Sequence, residues 1–205
     1  MKNIRPLKFK IHNKESLFDG FFQLNRYQIQ HELFAGGWNK PFRREVFERG
    51  QAVAVLLLDL KKESLVLIEQ FRPGAIDTEG GDSNPWLLEL VAGMIEENEL
   101  PEDVVKRETL EEAGCEVIRL TKICEYFVSP GGSSEKIWLY LGEINAENLG
   151  EFGGLAEENE DIKIHLLTVE KAFNLLDNNR INNAMTLIGL QWLRLNWGKR
   201  AHFWL

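Results

Sequence analysis

The chain has 205 residues, of which 44% are hydrophobic and 27% charged, and its net charge is −8 at pH 7. That length holds one domain, or one domain with an appendage, and enough apolar mass for a sizeable core. So acidic a chain argues against nucleic acid or an anionic membrane as partner. Any phosphorylated ligand must have its charge met locally, by a divalent cation or a few placed arginines.

The start, MKNIRPLKFKIHNKE, is basic but has no apolar core, so no secretory signal is expected. Residues 1–47 read as short strands. LKFKI (Leu7 to Ile11) alternates, and FFQLNRYQIQHELF (Phe21 to Phe34) mixes aromatic and polar residues in rough alternation. AGGWNKP then marks a loop. The segment has too little apolar mass to stand alone, so it should pack on the main body or on a partner chain. QAVAVLLLDL (Gln51 to Leu60) is far short of the ~20 residues that span a bilayer and reads as a buried strand. SLVLIEQF (Ser64 to Phe71) follows across a hairpin connection, DLKKES. The run from Arg72 to Pro85 is a Gly/Pro-rich loop, and WLLELVAG (Trp86 to Gly93) reads as one further strand.

A helix is expected from Pro101 to Ala113. Pro101 suits the first turn, Glu102 and Asp103 sit at the positive end of the dipole, and Gly114 suits the stop. Leu100 is a poor N-cap. KICEYFV, KIWLYLGEI and IKIHLLTV read as three more strands, with an acidic loop from Asn145 to Asp161 between the last two. VEKAFNLLDNN and INNAMTLIGLQWLRLNW read as two helices, the second covering a sheet face. The fold class is α+β: a mixed sheet with helices packed on it. Cys115 and Cys124 have neither metal-ligand spacing nor a disulfide framework, and read as reduced thiols in a cytoplasmic protein.

The chemistry concentrates in GMIEENELPEDVVKRETLEEAGC (Gly93 to Cys115). On a helix, Arg107, Glu108, Glu111 and Glu112 share an arc of roughly 140°, while Val105, Thr109 and Ala113 form the neighbouring, buried face. Glu108 and Glu112 are one turn apart and can close on one cation, with Glu111 beside them. Such clustered hard oxygen donors suit Mg²⁺ or Mn²⁺. Arg107 reads as a brace for Glu99 or Glu111.

The spacing from Gly93 through Glu99 and Arg107 to Gly114 resembles the Nudix box, GX5EX7REUXEEXGU. All fixed positions match, and a chance match at a given start is on the order of 10⁻⁸, at roughly one in 15 per residue. Thr109 and Cys115 depart mildly, standing where larger aliphatics are usual. The resemblance implies metal-dependent cleavage of a nucleoside diphosphate linked to another moiety. It also implies that Glu108 and Glu112 bind metal, that Glu111 shares it, and that the Ala92 carbonyl is a further ligand.

Pro130, fifteen residues beyond Cys115, resembles the marker of the ADP-ribose pyrophosphatase subfamily. GFF, RREVFERG, EQFRPGA, PWLLELVAGMIEE, EYFVSPGGSSE, LAEENEDIKIH and LQWL extend that resemblance over nearly the whole chain. It implies a homodimer in which an N-terminal β segment, residues 1–47, exchanges strands, beside a Nudix domain at residues 48–205. By the same resemblance Phe21 and Phe22 contact adenine, or else are plain strand core. Arg44, Glu45 and Arg49 contact substrate, some across the dimer, and Arg72 suits a bidentate phosphate contact. Met94, Ser129, Pro130, Gly131 and Glu135 line up with further contacts.

In AEENED the residues alone do not choose among Glu157, Glu158, Glu160 and Asp161; the resemblance makes Glu158 the base and Glu160 a metal ligand. The reaction implied is ADP-ribose plus water giving AMP and ribose 5-phosphate. The alternatives are another nucleotide sugar, such as GDP-mannose, and a non-catalytic nucleotide-binding module.

Overall fold

The structure, a computed structural model, describes residues 7–76 and 84–204. Residues 77–83 of the loop expected between Arg72 and Pro85, and residues 1–6 of the basic start, lie outside the described residues. The chain folds as two compact units. One holds the residues up to Gly50 with Phe127–Lys136; the other holds Gln51–Tyr126 with the residues from Ile137 on.

The first unit is a three-stranded antiparallel sheet: β1 (Phe9–Asp19), β2 (Gln23–His31) and β3 (Phe42–Glu48), in that order. The strand expected to end at Ile11 runs on to Asp19, because β1 pairs with β2 from Phe9↔His31 to Asp19↔Gln23 despite its polar middle. Phe21 and Phe22 fall in the β1–β2 turn, ahead of the strand expected to begin with them. Gly36 and Gly37 both take positive φ in the AGGWNKP loop, a backbone that favours glycine. Segment Phe127–Lys136 joins this unit through Phe47 N–H to the Gly132 carbonyl (2.8 Å) and Ser134 N–H to the Phe47 carbonyl (3.0 Å).

The second unit contains β4 (Gln51–Asp59), β5 (Ser64–Phe71), β6 (Trp86–Glu89), β7 (Val91–Met94), α1 (Pro101–Ala113), β8 (Arg119–Phe127), β9 (Lys136–Glu143), β10 (Phe152–Gly153), β11 (Ile162–Thr168), α2 (Val169–Asp177) and α3 (Ala184–Asn196). The sheet order is β10-β11-β5-β4-β9-β8, with β6 on β5 and β7 on β4. WLLELVAG, expected as one strand, is therefore two. The cause is a fork. β4 and β5 pair directly only at Leu57–Asp59 with Val66–Ser64, and beyond that point they part. The segment fills the gap, pairing with β5 over Trp86–Glu89 and with β4 over Val91–Met94, and changes partner at Leu90.

The apolar runs of β4 and β5 are buried on both faces, which is why they read as continuous rather than alternating. Val53, Val55, Leu57, Val66 and Ile68 pack with Val104, Val105 and Ala113 of α1. Ala54, Leu56, Leu58, Leu65 and Leu67 pack with Val169 and Ala172 of α2 and with Leu190 and Leu193 of α3. This is the α+β arrangement expected from the sequence, a sheet packed between helices. Among the described residues no helix is long and apolar enough to cross a membrane.

Candidate active site

Helix α1 carries the box, and its ends are built as the sequence indicates. Leu100 caps it with no side-chain bond and Pro101 opens it. Gly114 closes it in the left-handed region (φ 64°), with its N–H on the Leu110 carbonyl. Thr109, fully buried where a larger aliphatic is usual, satisfies its hydroxyl on the Val105 carbonyl at 2.6 Å.

Arg107 gathers the carboxylates. Its Nη1 donates to Glu108 Oε1 (2.8 Å) and Glu111 Oε2 (3.1 Å), and its Nη2 to Glu99 Oε2 (3.5 Å). The brace therefore holds both residues expected for it, and Glu108 as well. Glu112 is 2% exposed and accepts from the Ala92 N–H at 3.0 Å, which ties helix to β7. Gly93 lets Glu108 come against the backbone: a Cβ there would lie 1.9 Å from Glu108 Oε1.

Glu160 joins this group. The chain enters through Gly153, where a Cβ would lie 2.1 Å from the Glu112 carbonyl oxygen, and Gly154 donates its N–H to the Glu111 carbonyl at 2.9 Å. A short 3-10 turn, Ala156–Glu158, ends on Asn159 in the left-handed region. Past it Glu160 is half-buried and accepts from the Leu155 N–H at 3.4 Å, while Glu158 stays exposed on the turn. The structure thus brings Ala92, Glu108, Glu111, Glu112 and Glu160 together.

The electrostatics follow from that crowding. Burial pushes the Glu108 carboxyl up to about 7; Arg107 pulls it down, and Glu111 and Glu160 push it further up. Burial raises Glu112 well above the usual carboxylate range, with Glu108 and Glu160 adding to the rise and the Ala92 N–H and the Arg72 charge opposing it. Among the described residues no three acidic, histidine or cysteine side chains already close on one point as a finished cation cage. The donor set nevertheless fits a hard divalent cation: crowded, part-buried carboxylates held against their own repulsion are what such an ion relieves.

Arg72, at the end of β5, donates from Nε to Glu89 Oε2 at 2.6 Å, and Glu89 is only 4% exposed. Glu89 was missed in the sequence, although a glutamate inside the apolar run WLLELVAG was a signal that could have found it. Nothing in the local sequence singles out Gly153 and Gly154 within their acidic loop, since what they approach is the backbone of α1. Met94 ends β7, opposite Ala52, part-exposed.

The remaining sequence-derived candidates lie in the first unit. Arg49 sets its guanidinium 4.3 Å over the Phe22 ring and donates from Nε to Glu135 Oε1 at 3.3 Å. Phe22 meets Phe47 edge-on, and also Phe21, which is 88% exposed. Glu45 pairs with Arg26 at 2.8 Å, and Arg44 lies over the Phe42 ring. Ser129, Pro130 and Gly131 form an exposed turn in which the Ser129 carbonyl takes the Gly132 and Ser133 N–H groups.

The NUDIX domain model matches residues 48–187. The chain is 44% identical over 195 residues to an ADP-ribose pyrophosphatase of Haemophilus influenzae, covering 95% of this chain and 90% of that one. It is 31% identical over 191 residues to a GDP-mannose pyrophosphatase of Enterobacter sp. (93% and 97% covered). A crystal structure described as an ADP compounds hydrolase superposes with a TM-score of 0.69 at 21% identity, covering 96% of this chain and 97% of its own, which shows the fold. The chain belongs to the NUDIX domain family.

Proposed function

We propose that this protein hydrolyses the pyrophosphate bond of ADP-ribose to AMP and ribose 5-phosphate. The observation that carries the substrate is the similarity to an ADP-ribose pyrophosphatase across 95% of the chain. The geometry supports the chemistry. Glu108, Glu112, Glu160 and the Ala92 carbonyl would hold divalent metal, with Glu111 sharing. Magnesium suits hard donors that leave part of its shell to phosphate oxygens. When bound, the metal supplies charge neutralisation and polarises the P–O bonds.

The chain's own residues do the rest. Arg107 keeps the box carboxylates from splaying. Arg72 takes a phosphate oxygen. Glu158, on its exposed turn, takes the proton of the water that attacks phosphorus in line. Phe21, Phe22, Arg44, Glu45, Arg49, Met94, Ser129, Pro130, Gly131 and Glu135 contact substrate. Residues 1–47 act as a dimerisation segment in a cytoplasmic homodimer, a reading supported by Phe9, Ile11 and Phe18, which β1 leaves exposed.

The 31% identity to a GDP-mannose pyrophosphatase makes GDP-mannose the competing substrate. A panel of ADP-ribose, ADP-glucose and GDP-mannose at equal concentration, with and without Mg²⁺, tests the choice. The expected result is fastest release of AMP from ADP-ribose, abolished by chelation. Faster turnover of GDP-mannose would overturn it.

A further inference from the structure

The pair formed by Arg72 and Glu89 is not explained by the box. A carboxylate that is 4% exposed is costly unless it is paired, and a bare ion pair often gains less than an apolar pair of the same size. Something other than stability should keep Glu89 where it is. Its backbone is pinned on both sides: the Leu88 carbonyl accepts from Asn183 Nδ2 at 2.8 Å, and the Leu90 N–H donates to Thr186 Oγ1 at 3.1 Å. Asn183 is also the N-cap of α3, and Thr186 is fully buried. Glu89 is therefore held rigidly by the start of a helix on the far side of the sheet from α1.

Its carboxylate reaches Arg72 only through Nε. Among the described residues the two Nη nitrogens of Arg72 have no bonded partner, and the Arg72 side chain is 38% exposed. The Arg72 charge is also felt at Glu112. A guanidinium fixed by Nε offers its two Nη donors as a fork, the arrangement that matches two phosphate oxygens.

We propose that Glu89 is a positioning residue for the pyrophosphate: it holds Arg72 by Nε so that both Nη nitrogens are presented, already oriented, to phosphate oxygens beside the box carboxylates. This rests on the pyrophosphatase reading above. An arginine already oriented loses less side-chain freedom when substrate arrives, so the effect belongs mainly in KM.

A double-mutant cycle tests it, run on whichever nucleotide sugar the wild-type protein cleaves fastest. Glu89→Gln keeps size and an acceptor oxygen but loses the charge. In the wild-type background we expect it to lower kcat/KM roughly tenfold, mostly through KM; in an Arg72→Ala background, less than about twofold. If Arg72→Ala, which strands a buried carboxylate, does not fold by circular dichroism, Arg72→Gln serves as that corner. Equal losses in both backgrounds would overturn the proposal and leave the pyrophosphatase reading standing. A wild-type protein that cleaves no nucleotide sugar in Mg²⁺ would overturn both.

Discussion

Gly93 and Glu108 compete for the same space. A methyl added at Gly93 meets the Glu108 side chain first and forces its carboxylate out of place, because Cγ, Cδ and Oε1 would all lie within 2.4 Å of the new atom. Gly93→Ala should therefore act on metal rather than on the fold. We expect Mg²⁺ affinity, read from activity against Mg²⁺ concentration, to fall about 10–100-fold with little change in Tm. An unchanged Mg²⁺ titration would remove Glu108 from the metal site.

The same carboxylate sets a pH dependence. Glu108 is raised to about 7 when folded, against the usual value near 4.5 when unfolded. Between those values the folded state binds a proton that the unfolded state lacks, so metal-free stability falls as pH rises through that window. With a chelator present, Tm should be lower at pH 8 than at pH 5.5. Glu108→Gln should flatten that slope, and Mg²⁺ at pH 8 should restore the wild-type Tm. A wild-type slope of the opposite sign would contradict the burial of Glu108.

Among the elements, β10 is the smallest and has a large mechanical role. It presses on the last turn of α1 so closely that only glycine fits at Gly153, and the obstructing atoms are backbone and cannot swing aside. Gly153→Ala should displace the loop bearing Glu158 and Glu160, lowering kcat at saturating Mg²⁺ at least ~tenfold. Gly150→Ala, whose Cβ meets nothing closer than 3.5 Å, is the control and should be near neutral. At the other end of α1, Leu100 occupies a cap position with β-region backbone and no side-chain bond. Leu100→Asp should stabilise the protein by ~1 kcal/mol, raising Tm by about 2–4 °C in a thermal melt.

These elements also mark where sequence reasoning holds and where it stops. The bounds of α1, its weak cap, its buried face and the grouping of Glu108, Glu111 and Glu112 follow from local spacing, since a helix places residues by period alone. The break at Leu90 did not follow. It depends on β4 and β5 parting, a relation between segments that no local pattern encodes. Glu89 and Gly153 were obscured for the same reason: each matters through an atom far along the chain, Arg72 Nε in one case and the Glu112 carbonyl in the other. The length of β1 was underestimated because its partner strand, not its own composition, carries it on to Asp19.

For the whole molecule, the first unit poses the sharper question. β1 is exposed along its full length and carries Phe9, Ile11 and Phe18. A three-stranded sheet with such an edge strand invites a partner. Light scattering on the eluting protein should give twice 23.7 kDa, and Ile11→Lys with Phe18→Lys should shift it toward one chain with loss of activity. A fully active single-chain species would remove the proposed role of residues 1–47.

The forked hairpin carries a consequence for the order of assembly. The β4–β5 ladder holds only three residue pairs; along the rest of their facing edges the two strands pair with residues 86–94 instead of with each other. That wedge sets Ala92 against Glu112 and Glu89 against Arg72. Closing it requires long-range contacts, which form more slowly than a local turn. Refolding followed by stopped flow should then show secondary structure recovering first. The capacity to cleave substrate should return only with the slowest phase, when the wedge seats.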